Sequence, residues 1–448
     1  MIFKILSCII NSVFRRQRFR RLTNRIELRL LYRRFLMKRF LLTGVLAVAA
    51  AMFAVGSALA DVWFYGVTDK NPLEYQPGET MTFDLQVLKD GKALDGVEVS
   101  WTRTGDDGKT ETGKATSSAS EPIKVQTSIT TPGFVRLVAN AKVDGKNVSY
   151  NGGAGVLLDK IEGAPEPEDF DAYWAKQKER LAEVPIEVIE KVEVPSGVDG
   201  VVCYDMKIKC LGMPVSGYLA MPKDAKEKSL KAEVQFRGYS VVGANKPSHQ
   251  ARDKIAFQIN AHGILNGQPQ EYYNELNRTT LKQYAFNKQE NENPETAYFH
   301  GMVLRVMRAL QYVKTLPEWN GTDLIVSGGS QGGFQSILAA GLDPDVTECY
   351  PNISWCLNMS GSVKNGRLPG WFPEWTPALD YFDPVFHAKR IHCKVVSNVG
   401  LGDYTCPPSG QMIFFNNLKC PKEMTFRQGC THGYWMPNCP AYTIKGEE

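Results

Sequence analysis

The sequence predicts an α/β protein whose larger part is a mostly parallel sheet with helices on both faces, preceded by a small all-β sandwich. Three observations lead to this prediction. Strand-like apolar runs alternate with helix-like runs from residue 169 onward. Short runs of alternating apolar and polar residues, without helical spacing, fill residues 61–159. A serine flanked by glycines, in SGGSQGGF at 327–334, separates a strand-like run from a helix-like one.

The region 61–159 has the spacing of an immunoglobulin-like β-sandwich, with short strands separated by turns. The turns contain Pro-Gly or Asp-Gly pairs, and the predicted strands cover residues 81–88, 97–104, 123–129 and 134–143. No histidine or cysteine occurs in this region, so it is a poor candidate for catalysis. It is expected to act as a packing module, with carbohydrate binding or spacing as the alternatives.

The larger region, 169–448, follows a linker rich in proline and glutamate at 160–168. An amphipathic helix, DFDAYWAKQKERLAEV, opens this region, and a hairpin follows it. The predicted helices lie at 295–316 and 335–342, and the predicted strands at 232–239, 323–329, 356–361, 394–403 and 423–432. In such a parallel sheet the chemistry is expected at the carboxyl ends of the strands.

The first 60 residues are predicted to be absent from the mature protein. Residues 37–60 have a basic start, an apolar stretch and a final Ala58-Leu59-Ala60, which is the layout of a secretory signal peptide cleaved after Ala60. A membrane anchor is the alternative, but the apolar stretch is near the lower limit for spanning a bilayer. Residues 1–36 carry ten basic residues and one acidic residue and are interpreted as a leader that is not translated or not retained. The sequence therefore predicts a secreted or periplasmic protein without stable membrane insertion.

Charge and cysteine content argue against two classes of protein. Residues 61–448 contain 40 basic and 47 acidic residues, a net charge of −7, so nothing favours a nucleic-acid partner. Nine of the ten cysteines lie from Cys203 onward without a C-x-x-C pair, so neither a zinc site nor a redox pair is indicated. Cys430 and Cys439 flank His432 and are expected either to form a disulfide or to remain buried thiols.

The stretch around Ser330 has the pattern G-x-S-x-G, with Gly328 and Gly332 two residues away on either side. A strand that turns sharply into a helix lifts the serine oxygen above the sheet, and the crowded turn leaves no room for side chains at those two positions. A plain glycine turn is the alternative. The strand–turn–helix context favours the nucleophile elbow of an α/β-hydrolase.

In this fold the catalytic triad follows the chain order serine, acid, histidine. Only His432 follows the last strand-like run, so it is the predicted general base. The aspartates between Ser330 and His432 are Asp343, Asp345, Asp380, Asp383 and Asp403. Asp403 ends the strand 394–403 and is the predicted acid, whereas Asp380 and Asp383 are expected in a turn and a helix cap.

An oxyanion hole needs two hydrogen-bond donors near the nucleophile. One is expected to be the backbone N–H of Gln331, directly after Ser330. The other is expected to be the backbone N–H of Tyr239, at the end of the predicted strand 232–239, where the chain leaves the sheet.

Several stretches in order resemble the acetyl xylan esterase and cephalosporin-C deacetylase family, carbohydrate esterase family seven. The stretches are DFDAYWAKQKERLAEVP, FRGY, SGGSQGG, YFDPVFHAKRIHC and VGLGDYTCPPS, and the resemblance covers roughly residues 165–440. The resemblance implies the same triad, Ser330, Asp403 and His432, and the same backbone donor at Tyr239. Asn266-Gly267-Gln268 stands where the family usually has Arg-Gly-Gln, so Gln268 is an expected substrate contact, and the substrate preference stays open.

These patterns predict an exported serine esterase that removes acetyl groups from plant polysaccharides or oligosaccharides through an acyl-enzyme. This chemistry needs no metal and no organic cofactor. Trp371, Tyr434 and Trp435 are predicted to form an aromatic wall for a sugar ring, with ordinary loop packing as the alternative.

Two other functions are alternatives: a serine peptidase of the prolyl-oligopeptidase type, and a non-catalytic carbohydrate-binding surface protein. The peptidase type has a far larger β domain, and the complete serine–aspartate–histidine order argues against a non-catalytic protein. Besides an acetylated sugar, the expected partners include a second copy of the chain, because compact family members form ring-shaped oligomers.

Overall fold

A computed structural model describes residues 61–446. The predicted leader and signal peptide lie outside these described residues. From Val62 onward the chain forms one compact unit that includes both the N-terminal sheets and the larger sheet. Within the described part, no helix is both long enough and apolar enough to cross a membrane.

The N-terminal part is a β-sandwich of two four-stranded antiparallel sheets. One sheet has the order β1-β2-β3, with β6 also paired to β2, and the other has the order β5-β4-β7-β8. Side chains alternate between buried and exposed along the strands, and the buried sides of the two sheets share one apolar core. The strands are β1 Val62–Thr68, β2 Met81–Lys89, β3 Lys92–Ala93, β4 Glu98–Gly105, β5 Glu111–Thr116, β6 Ile123–Thr127, β7 Gly133–Val143 and β8 Lys146–Val156.

The larger sheet has ten strands in the order β18-β17-β16-β15-β14-β12-β13-β11-β10-β9. The six strands from β17 to β13 in this order run parallel, and antiparallel strands extend both edges. The strands are β9 Val188–Val194, β10 Val201–Ile208, β11 Val215–Pro222, β12 Leu230–Phe236, β13 Lys254–Ile259, β14 Trp319–Gly329, β15 Glu348–Asn352, β16 Lys394–Gly400, β17 Lys422–Arg427 and β18 Ala441–Gly446. The predicted α/β-hydrolase architecture with a preceding sandwich is confirmed.

Helices cover this sheet. The α-helices are α1 Phe170–Ala182, α2 Gln270–Arg278, α3 Tyr298–Val313, α4 Gln331–Leu342, α5 Gly361–Asn365, α6 Pro384–His387 and α7 Pro408–Asn417. Short 3₁₀ turns lie at Leu158–Lys160, Glu290–Glu292, Pro377–Phe382 and Ala388–Arg390. Helix α4 consists of apolar and small residues with two glutamines and is almost wholly buried, as expected for a helix packed in the centre of the fold.

The strand register brings the functional end of the sheet together. Phe236 at the end of β12 lies opposite Gly328 of β14, and Gly329 lies opposite Asn352 of β15. Gly400 of β16 lies opposite Arg427 of β17. The carboxyl ends of these parallel strands therefore meet along one edge, where ligands bind in open α/β sheets.

The predicted strand at 356–361 is wrong. This apolar stretch is a buried turn that leads into α5, and the strand beside β14 is β15, which comes before it. Cys356 and Asn358 have φ of 58° and 60°, which a regular strand does not allow. The stretch is apolar because it is buried under other elements, so its hydrophobicity alone did not distinguish a turn from a strand.

The nine cysteines among the described residues are free thiols, and all except Cys439 are buried. Burial, and after it a contact with the Cys439 thiol, raise the pKa of the Cys430 thiol to about 12. Of the two cysteines that flank His432, Cys430 is therefore a buried thiol and Cys439 a partly buried one.

Candidate active site

Ser330 lies at a sharp turn between β14 and α4, with φ 58° and ψ −121°. The turn is crowded on both sides of the serine. A Cβ atom at position 332 would lie 2.3 Å from the carbonyl oxygen of Phe236, and one at position 328 would lie 2.5 Å from the carbonyl carbon of Gly332. Only glycine fits at these two positions, which explains the G-x-S-x-G pattern in physical terms.

Three predicted residues from distant parts of the chain meet at this turn. The Oγ atom of Ser330 lies 3.0 Å from Nε2 of His432, and Nδ1 of the same ring lies 2.8 Å from Oδ2 of Asp403. The Asp403 side chain is fully buried, and its other oxygen accepts hydrogen bonds from the N–H groups of Thr405 and Cys406, both at 3.0 Å. These bonds fix the carboxylate so that one oxygen faces the imidazole.

The other histidines have no such role. His262, His300 and His387 are buried, and burial lowers the pKa of all three, to about 4 for His262 and about 3 for His387. They are neutral structural groups near pH 7. His249 and His392 are exposed on the surface.

The competing aspartates have structural partners. Asp383 caps α6 by accepting a hydrogen bond from Val385 N–H, and its carboxylate also accepts from the N–H groups of Asn358 and Met359. Asp380 accepts from Trp375 at 2.7 Å, and the Asp343 carboxylate pairs with a lysine at 2.8 Å. The expected turn and cap around Asp380 and Asp383 are therefore observed.

Both predicted oxyanion donors lie beside Ser330 in the fold. Gln331 is the first residue of α4, where backbone N–H groups lack partners within the helix. Tyr239 follows Gly238, and a Cβ atom at position 238 would lie 3.9 Å from Cβ of Ser330. The segment after β12 therefore passes directly over the nucleophile.

Tyr284, which the sequence did not indicate, joins the two donor segments. Its hydroxyl accepts from Ser240 N–H at 3.0 Å and donates to Oε1 of Gln331 at 2.9 Å. Its ring stacks on Tyr239, with centroids 4.1 Å apart and planes within 11°. One side chain thus holds the loop after β12 against the start of α4. No local pattern around Tyr284 predicts this contact, which depends only on the fold.

Trp371 is the predicted substrate residue that the structure brings to the site. The residue is 45% exposed, its ring packs edge-on against Tyr239 at 4.8 Å, and its backbone N–H donates to the carbonyl of Thr405 in the loop that carries Asp403. Trp371 therefore borders both the oxyanion segment and the acid.

The structure gives weaker support for the other predicted substrate residues. Tyr434 and Trp435 are exposed on the same loop as His432, and Trp435 packs against the guanidinium of Arg427 at 5.0 Å. Gln268 is hydrogen-bonded to Asn266 and Tyr273.

One group of side chains in the described residues has the spacing of metal ligands: Asp403, Cys406 and His432, whose ligand atoms lie within 4.8 Å of one another. The carboxylate oxygens are already bound to Thr405 N–H, Cys406 N–H and His432. Burial, and after it the Asp403 charge, raise the pKa of the Cys406 thiol, which disfavours the thiolate that a metal needs. Two of these three side chains, Asp403 and His432, are bonded to each other, and His432 is also bonded to Ser330.

The ten-stranded sheet and the elbow define an α/β-hydrolase, and the comparisons with known proteins make it a carboxylic-ester hydrolase. The profile of the acetyl xylan esterase (AXE1) family matches residues 158–360 and 374–442. The chain belongs to the acetyl xylan esterase (AXE1) family.

Individual relatives agree with this assignment. The chain is 29% identical over 337 residues to acetyl esterase Axe7A of Xylanibacter ruminicola, covering 70% of this chain and 74% of that protein. Two solved structures share the fold. The acetyl xylan esterase from Paenibacillus sp. R4 has a TM-score of 0.52 at 23% identity, covering 62% of this chain and 94% of its own. Acetyl xylan esterase 1 from Thermoanaerobacterium sp. JW/SL YS485 has a TM-score of 0.51 at 21% identity, covering 63% and 93%.

Proposed function

We propose that this protein is an exported serine esterase that removes acetyl groups from acetylated plant polysaccharides or oligosaccharides, with Ser330, His432 and Asp403 as its triad. The observation that carries the proposal is the unbroken hydrogen-bond chain from the Ser330 hydroxyl through His432 to the buried Asp403. A serine hydroxyl becomes a useful nucleophile only when a base is placed to accept its proton, and this chain supplies the base and its orienting acid.

Acylation uses these groups in turn. Oγ of Ser330 attacks the acetyl carbonyl carbon while its proton passes to Nε2 of His432, and the carbonyl oxygen becomes an oxyanion. The N–H groups of Gln331 and Tyr239 donate to that oxygen. The ester C–O bond then breaks, and His432 returns the proton to the departing sugar oxygen, which leaves as a hydroxyl.

Deacylation repeats the sequence with water. His432 takes a proton from a water molecule as that water attacks the acetyl group on Ser330. The tetrahedral intermediate collapses to acetic acid, which ionises to acetate in water, and His432 returns its proton to Oγ of Ser330. Throughout, Asp403 holds the proton of the imidazole on Nδ1 and stabilises the imidazolium that forms in each half of the reaction.

An acetylated sugar is the proposed substrate because of the family and the surface beside the nucleophile. Relatives are named for acetyl ester and acetyl xylan ester hydrolysis. The half-exposed ring of Trp371 beside Tyr239 offers the apolar face on which a sugar ring stacks, and Tyr434 and Trp435 lie on the His432 loop. A serine peptidase and a non-catalytic binding protein are less well supported, because the family match favours ester hydrolysis and the triad geometry is complete.

Export is proposed from residues 37–60 alone, whose layout is that of a signal peptide. Mass spectrometry of protein secreted from a cell that processes this signal is expected to give Asp61 as the first residue. An uncleaved chain retained in the membrane would contradict export.

The test of the activity replaces the nucleophile and a neighbouring serine. Ser330→Ala is expected to lower the turnover of p-nitrophenyl acetate and of acetylated xylo-oligosaccharide by on the order of 10⁴ to 10⁶ with little change in melting temperature. Ser327→Ala is the matched control, because the Ser327 hydroxyl lies three residues earlier and binds Glu233 at 2.6 Å. A Ser330→Ala protein that retains a tenth of the activity would rule out Ser330, and cleavage of a proline-linked amide in preference to acetate esters would favour the peptidase.

A further inference from the structure

The β-sandwich contacts the loop that carries Asp403. The backbone of β8 passes so close to this loop that a Cβ atom at position 402 would lie 2.2 Å from the carbonyl oxygen of Asn151. In the opposite direction, a Cβ atom at position 153 would lie 3.0 Å from the carbonyl oxygen of Leu401. The contact leaves no room for a Cβ atom at position 402 and little room for one at position 153, immediately before the proposed acid.

A second contact continues along the same loop. The Arg136 guanidinium, from β7, lies 4.3 Å from the ring centre of Tyr404, and it donates to Asn151 at 3.0 Å. A cation over an aromatic face adds an attractive interaction to the close backbone packing. The sandwich therefore touches the residues directly before and directly after Asp403.

The loop that carries His432 is fixed to the sandwich at both of its ends. At the first end, the fully buried Gln428 accepts from Gly153 N–H at 3.0 Å and donates to the Gly153 carbonyl at 2.9 Å. At the second end, Met436 is 2% exposed and belongs to the apolar core of the sandwich, where its sulfur accepts from Gly66 N–H at 3.3 Å. Between these anchors, residues 433–435 are exposed.

Side chains cross the boundary in both directions. As Met436 enters the sandwich core, Phe134 of β7 enters the core of the larger sheet and stacks on Phe426 of β17, with centroids 6.0 Å apart. Phe426 lies two residues before Gln428. Such interdigitated packing transmits small displacements instead of absorbing them, unlike a flat contact between modules.

We propose that the β-sandwich is a positioning element of the active site, and that Gln428 and Met436 are positioning residues that hold His432 between Ser330 and Asp403. This inference rests on the proposed function of that triad. The base must keep two hydrogen bonds, 3.0 Å and 2.8 Å long, on opposite sides of one ring. Residues 433–435, which directly follow His432, are exposed, so the buried side chains of Gln428 and Met436 on either side limit the movement of the ring. A misplacement of about 1 Å in such a site costs on the order of 10²-fold in rate.

The main test compares two methionines of the same core in the full-length enzyme. Met436→Ala removes the anchor of the His432 loop, whereas Met81→Ala opens a cavity in the same sandwich core from β2. Both variants are expected to lower the melting temperature. Only Met436→Ala is expected to lower kcat, by about 10- to 100-fold with KM within about twofold, at a temperature where both variants are folded. Met436→Leu, which conserves volume, is expected to restore most of the kcat.

A second pair keeps the inference testable if Met436→Ala fails to fold. Gln428→Met removes both bonds to Gly153, and Gln177→Met is the control, since the buried Gln177 bonds His300 and Arg180 in another part of the fold. A selective loss of kcat in the Gln428 variant supports the inference. If each variant has the same kcat as its control while the wild type is active, this inference is overturned and the proposed function is not affected. A wild type that hydrolyses no acetyl ester, or a fully active Ser330→Ala protein, removes the proposed function and this inference with it.

Discussion

Asp403 differs from the other aspartates between Ser330 and His432 in what its two oxygens do. One oxygen is held by two backbone N–H groups, which leaves the other directed at the imidazole. An asparagine at this position would keep the shape but would present an amide N–H or a neutral oxygen to Nδ1. The control of the imidazole tautomer would then be lost.

Asp403→Asn is therefore expected to lower kcat by roughly 10³- to 10⁴-fold while the binding of a non-reacting acetylated sugar changes little. Asp383→Asn is the control, because its carboxylate accepts three backbone hydrogen bonds away from the triad. It is expected to lose stability, by about 1 kcal/mol or more, at nearly unchanged kcat. Turnover of both variants at saturating substrate, with melting temperatures, makes the comparison. An active Asp403→Asn beside an inactive, fully stable Asp383→Asn would mean that the acid is misassigned.

Tyr284→Phe is expected to lower kcat about tenfold with little change in KM. The hydroxyl that it removes links the Ser240 segment to Gln331, so both proposed oxyanion donors lose a restraint that matters mainly when charge develops on the substrate oxygen. Tyr381→Phe is the matched control, because that hydroxyl binds Asp169. Steady-state kinetics on one acetyl ester distinguish the two variants, and an equal kcat for both would argue against a role for Tyr284 in the oxyanion hole.

These residues also show what a sequence can and cannot reveal at this scale. The positions of Ser330, Asp403 and His432 follow from chain order and from local strand endings, both of which are visible in the sequence. Tyr284 lies in no recognisable pattern, and its function depends on contacts with residues 44 and 47 positions away along the chain. Such contacts exist only once the tertiary fold has formed.

At the level of elements, the elbow between β14 and α4 depends on close contact with β12. Gly332→Ala is expected to destabilise the protein by about 1 to 3 kcal/mol and to lower activity, since its Cβ atom would lie 2.3 Å from a carbonyl oxygen of β12. Gly329→Ala is the matched control in the same turn, where the nearest atom to a new Cβ atom would be 3.9 Å away. Chemical unfolding and esterase assays of both variants test this. Equal tolerance at the two positions would contradict the packing explanation of the G-x-S-x-G pattern.

Elements differ in how well the sequence predicts them. Strands β12, β14, β16 and β17 and the buried helices α3 and α4 were predicted because their hydrophobic spacing reports their own burial, whereas the parallel strands β13 and β15 were not predicted. Strand β8, which contains NGGAG, was missed because its glycines resemble a loop. They are needed there because β8 packs closely against β7 and against the Asp403 loop. A Cβ atom at position 153 would lie 2.7 Å from the Val135 carbonyl of β7. Close approach to a distant segment leaves no signal in local periodicity.

At the scale of the whole molecule, the buried histidines make stability depend on pH. Burial lowers the pKa of His262 to about 4 and that of His387 to about 3, below the ordinary value of 6.5. As the pH falls below about 6.5, these histidines therefore become protonated in the unfolded chain while they stay neutral in the folded chain. Each histidine removes up to about 1.4 kcal/mol of stability per pH unit between its unfolded and folded pKa.

The melting temperature of the wild type is accordingly expected to fall between pH 7 and pH 5. His387→Leu is expected to show a smaller fall over the same interval, whatever its stability at pH 7, because it removes one of the groups that only the unfolded chain protonates. Calorimetry at the two pH values measures both differences. An identical fall in the two proteins would show that His387 takes up no proton on unfolding.

Phe134 of the sandwich packs in the core of the larger sheet, and Met436 packs in the core of the sandwich. This packing has a consequence for how such proteins diversify. Gain of the N-terminal segment by recombination would bury residue 436 in a single event, and loss of the segment would expose it. An exposed methionine at the end of a loop gives no advantage over a polar residue. The sandwich and the identities of residues 428 and 436 should therefore be inherited together. Among relatives that lack the segment, polar residues are expected at position 436, and a side chain other than glutamine at position 428.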